Sequence, residues 1–214
     1  MYSIRDKKEE IIDRLLLLYL IGEANKVTGI GKLLLQKLVF LAEKAMISDG
    51  IKGFNFRFFR YNLGPFTEEI YIDSKKLFSA GLLRETEWPF RLTKQGKALL
   101  ENIYSFIVKR CDNKEVLSII EKTVGKYAKY NTEKIKKFVY AIKIQPIGES
   151  KILPIKDVSS GYWLTEKIDE KKAKKSFTLN EKLMEDLEYE FELTKADRDE
   201  KRTISDISYE DRFG

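Results

Sequence analysis

The stretch "AGLLRETEWPFRLTKQG", residues 80–96, decides the fold. A helix closes at Gly81, because glycine takes the left-handed conformation that ends helices at little cost. "LLRE" and "FRLT" then read as two short strands around the tip "TEWP". Pro89 withholds an amide from the ladder, so the hairpin is expected to be short. Leu82 and Leu83 anchor its first strand and Leu92 its second. Thr93 is placed to cap the next helix, and Gly96 lets that helix pack closely. This is the order in which a winged helix builds its wing.

Upstream, apolar residues at 11, 12, 15, 16, 18, 19 and 20 form a broad helical stripe that "KVTGIG" interrupts. A second helix runs over "KLLLQKLVFLAEKAM" and stops at Gly50 and Gly53. Phe54, Phe56 and Phe58 alternate with Asn55 and Arg57, the pattern of a half-buried strand. "NLGP" then turns the chain into a third helix. Thr67 is its expected cap, with Glu68 and Glu69 at the positive end of the dipole. Downstream of the hairpin the pattern predicts helices over 94–110, 113–130 and 131–143.

The fold class expected is α+β, mostly α: a winged helix-turn-helix with added C-terminal helices. Residues 1–112 form the winged-helix domain, 113–145 the appended helices packing on it, and 146–214 an irregular segment and charged C-terminal arm. Within that arm "TLNEKLMEDLEYEFEL" is amphipathic. Leu179, Leu183, Leu187 and Phe191 are spaced to lie in a partner's groove, or to dock on the protein's own body.

Hydrophobic residues make up 43% of the chain, enough to bury a real core. The longest apolar run, residues 11–21, is interrupted by Asp13 and Arg14 and is too short to span a bilayer. The protein is therefore expected to be soluble and cytoplasmic, with no membrane partner. There is no histidine, which removes His-based triads, imidazole proton shuttles and the ordinary transition-metal sites. The single cysteine, Cys111, can form neither an internal disulfide nor a thiolate cage, and no histidine is present to act as its base. No enzyme activity, metal or cofactor is expected. Charged residues reach 35%, with only three glutamines, a composition resembling the ion-pair-rich surfaces of thermophile proteins.

Charge is divided unevenly. Residues 1–164 carry 29 Lys and Arg against 19 Asp and Glu, whereas 165–214 carry 11 against 15. The body calls for an anionic partner or for masking by its own acidic tail. The surfaces a winged helix would present to DNA are not the basic ones: the third helix begins with Glu68, Glu69 and Asp73, and the wing tip holds Glu85 and Glu87. Their cations are Lys75, Lys76, Arg84 and Arg91. Residues 94–143 hold 12 basic and 5 acidic residues. There Lys126, Lys129, Lys134, Lys136 and Lys137 interleave with Tyr127, Tyr130, Phe138 and Tyr140, a pattern that can follow a nucleic-acid backbone and stack on bases. The alternative is that Phe138 and Tyr140 are core and the lysines solvate their helices. Arg57 and Arg60 extend the same face, unless Arg60 pairs with an acidic neighbour. Trp88, at the hairpin tip, is a candidate partner-binding anchor. Helices within 113–143 are the expected interface of a homodimer.

The order "KLLLQKLVFLAEKA", an aromatic strand, "YNLGPFTEEI" and "LFSAGLL" over residues 8–145 resembles the SocA-like antitoxin domain, also called Panacea, and related uncharacterised winged-helix proteins. The matching residues are Lys32, Leu33, Leu35, Gln36, Lys37 and Leu38, then Gly64 and Pro65. The resemblance implies neutralisation of a partner protein or adaptor work, with DNA binding in some members. Two functions follow as expectations. One is a non-catalytic DNA-associated regulator that holds duplex DNA through residues 94–143. The other is a protein-binding antitoxin or adaptor module that does not touch DNA.

Overall fold

A computed structural model describes residues 5–84, 89–165 and 167–198. The chain is α+β and mostly helical. Helix α1 (Lys7–Val27) opens on a capping box: the Glu9 amide donates to Asp6 Oδ1 at 2.8 Å, and the Asp6 amide to Glu9 Oε2 at 3.1 Å. Leu15, Leu16, Leu17 and Leu18 are all buried. Four consecutive buried positions cover every side of a helix, so α1 is the central helix rather than a surface one. Helix α2 (Lys32–Asp49) follows and ends on Gly50, which takes φ +73°.

Residues 50–68 depart from the sequence pattern. A two-residue strand β1 (Ile51–Lys52) leads into an extended stretch, 53–58, that joins no ladder. Phe54, Phe56 and Phe58 are buried, but so is Asn55 between them. Asp13 of α1 explains this: its Oδ1 accepts from the Asn55 amide at 2.8 Å and from Asn55 Nδ2 at 3.1 Å. The donors of this polar residue inside an apolar segment are thus satisfied by a helix rather than by a strand partner, whereas its Oδ1 is buried without a hydrogen-bond partner among the described residues. The chain then forms a hairpin, β2 (Phe59–Tyr61) and β3 (Gly64–Phe66), with Phe59 opposite Phe66. Residues 161–164 line its other edge, the Leu164 amide donating to Phe58 O and the Arg60 amide to Tyr162 O.

Helix α3 (Glu69–Ser79) ends at Gly81, φ +68°. Among the described residues the short hairpin expected after it shows one bridge, Leu83 to Leu92, and a second bridge joins Phe90 to Ile30. Its tip, with Glu85, Glu87 and Trp88, lies outside the described residues. Helix α4 (Lys94–Ile107) is capped by Thr93, whose Oγ1 accepts from the Gly96 amide at 3.0 Å. Helices α5 (Cys111–Tyr127) and α6 (Thr132–Ala141) complete the bundle, α5 against α1 and α2, α6 against α2.

The expectation of a core ending near residue 145 needs correction. Strands β4 (Lys143–Ile144) and β5 (Leu153–Pro154) pair, and β6 (Lys175–Ser176) runs parallel to β1. Ile155, Leu164, Phe177, Leu187 and Phe191 are buried in the same cluster as α1 and α2. Helix α7 (Glu181–Glu192) packs on α1 and α3. Up to its last described residues the chain is part of the body, not an exposed arm. No helix among the described residues is long and apolar enough to cross a membrane.

Candidate nucleic-acid interface

Gln36, Lys37, Gly64 and Pro65 form a structural lock. Gln36 Nε2 donates to Thr67 O at 2.7 Å, and the Thr67 amide returns a bond to Gln36 Oε1 at 3.1 Å. Beside it Lys37 Nζ donates to Pro65 O at 2.7 Å. Burial, with Arg60 adding repulsion, pushes the Lys37 ammonium down to about 7. Gly64 takes φ +98°, which only glycine adopts readily, and its Cα faces Tyr140 and Lys37. These side chains fasten the β2–β3 hairpin to α2.

A second buried polar set ties the chain start to α1 and α3. Arg5 Nη1 meets Asp13 at 2.9 Å and Asp73 at 2.7 Å, and Arg14 Nε meets Asp73 at 3.1 Å. Burial pushes the Asp13 carboxyl up to about 7 against the pull of Arg5. Glu43, on α2, is also buried, and among the described residues neither of its carboxyl oxygens has a hydrogen-bond partner. Desolvation, reinforced by Asp13 and Glu69, holds it well above the ordinary carboxylate range.

This set corrects the charge expected on α3. Asp73 is fully buried between two arginines, and Glu69 is held by Arg5 at 3.1 Å. Neither faces outward as a repelling charge. The exposed positions of α3 are Ile72, Lys75 and Ser79, with Glu68 just before it. Lys76 is half-buried, its Nζ 3.7 Å from Glu10. Arg84 and Arg91 are exposed on the hairpin, where the Arg84 amide donates to Arg91 O at 2.9 Å.

The basic residues on α5 make a more continuous surface. Lys114, Lys122 and Lys126 lie on its exposed side at spacings of 8 and 4 residues, and Lys129 follows directly. Among the described residues none of the four is within ion-pair distance of a carboxylate. Of the three acids on the helix, Glu115 pairs with Lys175 and Glu121 accepts from Tyr19 Oη at 2.5 Å, while Asp112 lies in the first turn, two residues before Lys114. At 1.5 Å rise per residue the ridge from Lys114 to Lys129 is roughly 22 Å long. On α6, Lys134 and Lys137 are exposed, whereas Lys136 is half-buried and paired with Glu133 at 2.9 Å. The predicted cations thus fall into two groups, Lys126, Lys129, Lys134 and Lys137 on α5–α6, and Lys75, Lys76, Arg84 and Arg91 on α3 and its hairpin.

The interleaved aromatics do not serve as free stacking surfaces. Tyr127 is buried, and its ring lies 4.8 Å from Phe138 and 5.5 Å from Tyr130. Tyr140 Oη donates to Asn62 O at 2.8 Å. These rings join α5 to α6 and α6 to the hairpin, so the region offers charge without bases' stacking partners. Among the described residues Arg60 pairs with no acid: its Nε donates to Ile155 O and its guanidinium lies 5.1 Å from the Tyr140 ring.

The partner-groove reading of the C-terminal helix is corrected too. Leu187 and Phe191 are buried and Leu183 is half-buried, while Glu181, Glu185 and Asp186 face outward. An amphipathic stripe requires a cover; here α1 and α3 supply it. An open groove of about 650 Å³ lies between α1 and α4, with Tyr19, Glu23, Leu100, Tyr104 and Glu121 among its walls. Sequence reading missed the outer face of the β2–β3 hairpin, where Phe59, Tyr61, Phe66 and Trp163 collect. The alternation of Phe59 with Tyr61 was a usable signal; Trp163, distant in the chain, gave none.

No protein-family model, curated protein or solved structure matches this chain.

Proposed function

We propose that the protein is a non-catalytic, DNA-associated regulator on a winged-helix scaffold. The scaffold reading rests on the order α1, Ile30, α2, α3, hairpin 83–92, α4, with Ile30 bridged to Phe90 and Leu83 to Leu92. The 50–68 insertion separates α2 from α3, and acidic α7 covers part of α3, so α3 is not the reading helix of this proposal. The α5 ridge carries the functional reading. Lys114, Lys122, Lys126 and Lys129, without carboxylate partners, are placed to neutralise successive phosphates of a duplex, with Lys134 and Lys137 of α6 extending the contact. Such binding is sequence-tolerant, and cytoplasmic DNA is the natural partner.

The direct test is charge reversal. Lys122→Glu with Lys126→Glu and Lys129→Glu should abolish binding to a 20-base-pair duplex at low salt while leaving the far-UV circular dichroism unchanged. Undiminished binding by that variant would remove the ridge from the mechanism.

A second reading, a protein-binding antitoxin or adaptor module, is favoured by the docking of α7 on α3, which closes the usual DNA-facing helix. It predicts no duplex binding by the unmodified chain at any salt concentration.

A further inference from the structure

Helices α1 and α4 face each other across the open groove of about 650 Å³. Tyr19, Gly22 and Glu23 line it from α1, and Leu100, Glu101 and Tyr104 from α4. Both sets follow the three- and four-residue spacing that puts side chains on one face of a helix. A Cβ on Gly22 would lie 3.1 Å from Leu92 and 3.2 Å from Leu100, so the floor there is apolar and closely packed. A groove of this volume is the size that encloses a small organic molecule.

Its two ends differ in charge. Tyr19 Oη donates to Glu121 of α5 at 2.5 Å, and Tyr104 is 45% exposed beside them. Burial, the bond to Glu121 and the nearby Glu23 and Tyr104 push the Tyr19 hydroxyl well above its ordinary range. Because Gly22 sits by Leu100 and Tyr19 by Tyr104, the helices cross the groove antiparallel, which brings Lys26 and Lys97 to the end away from the phenols. Lys26 is paired with Glu23. Among the described residues no lysine or arginine is within ion-pair distance of Glu101 or Glu121. The phenol end therefore holds two carboxylates without a cation, next to an open aromatic ring and an apolar floor. An anion would be repelled there, and a cation would meet carboxylate and ring together.

We propose that the α1–α4 groove binds a small organic cation, its charged group against Glu101, Glu121 and the Tyr104 ring and its apolar body over Leu100, Gly22 and Leu92. Neither DNA nor the lysine ridge enters this assignment.

The probe is rhodamine 6G, titrated against the full chain by fluorescence anisotropy, with fluorescein, an anion on the same flat xanthene body, in parallel. Rhodamine 6G should bind saturably at about one dye per chain, and fluorescein about tenfold more weakly. Glu101→Gln with Glu121→Gln should weaken the cation about tenfold while the far-UV circular dichroism stays unchanged. Glu121→Gln keeps an oxygen for the Tyr19 hydroxyl, and Glu101 is exposed, so neither change burdens the fold. Glu185→Gln, which removes an outward-facing acid of α7, should leave the affinity as it was. Equal affinity for the two dyes, an equal loss from Glu185→Gln, or no saturable binding of rhodamine 6G would each overturn the proposal. A tetra-arginine peptide that binds as tightly as the dye, with the same loss from Glu101→Gln, would overturn it in favour of a basic protein segment. A dimer that excludes the dye in sedimentation velocity would overturn it in favour of a second copy of the chain.

Discussion

Lys37 reaches from the buried side of α2 to the Pro65 carbonyl, donating at 2.7 Å, and is itself 2% exposed. A lysine there carries the hairpin lock in an environment that disfavours its charge. Burial brings it from an ordinary 10.5 down to about 7. The folded state therefore binds fewer protons than the unfolded state between about pH 7 and about pH 10.4, and stability should rise with pH across that window. The slope from this group approaches about 1.4 kcal/mol per pH unit. Urea unfolding of the wild type and Lys37→Met at pH 7, 8 and 9 measures it: the rise should vanish in the variant. An equal slope in both proteins would place its origin elsewhere.

Two glycine substitutions should act in opposite directions. A Cβ on Gly96 would sit 2.2 Å from Leu82 O, a backbone atom that cannot rotate away. Gly96→Ala should therefore cost about 1–3 kcal/mol or more, although alanine is the better helix former. At Gly125, within α5, a Cβ meets nothing within 4 Å. Gly125→Ala should stabilise by about 1 kcal/mol. Thermal midpoints of the two variants check the pair.

Asp73 accepts from both Arg5 and Arg14 with no exposure of its own. Removing it leaves two arginines buried near Asp13 with one fewer carboxylate. Asp73→Ala should cost about 3–5 kcal/mol in denaturant unfolding. A cost under about 1 kcal/mol would mean that water replaces the carboxylate.

Glu43 differs: its carboxyl oxygens have no hydrogen-bond partner among the described residues, and desolvation keeps the acid protonated at higher pH than usual. Glu43→Gln keeps the shape without an ionisable group, so at neutral pH its cost should stay below about 1 kcal/mol. A loss well above that in the same urea assay would show that the carboxyl has a role that an amide cannot fill.

The parts of the fold visible in sequence were those governed by neighbours in the chain. Thr93 capping, the left-handed turn at Gly81 and the close approach at Gly96 each depend on a few adjacent residues. Long-range pairing was not visible in that way. Asn55 looks like the polar half of a strand alternation until Asp13 is found bonded to it. The spacing of Leu187 and Phe191 shows that one face of α7 is covered, but not that α1 and α3 cover it. At the candidate site, the exposed lysines of α5 follow from helical spacing, whereas the burial of Asp73 between Arg5 and Arg14 required three separate elements to meet.

The salt dependence of duplex binding tests the central claim most directly. Each phosphate contact contributes a slope of about −0.9 to log K against log salt, so the four ridge lysines with Lys134 and Lys137 give about −5.4, or roughly a thousandfold loss between 50 and 200 mM. Titration of a labelled duplex by fluorescence anisotropy at four salt concentrations should return that slope. Absence of binding at 50 mM, or an affinity unchanged by salt, would contradict the proposal that the α5 lysines hold DNA.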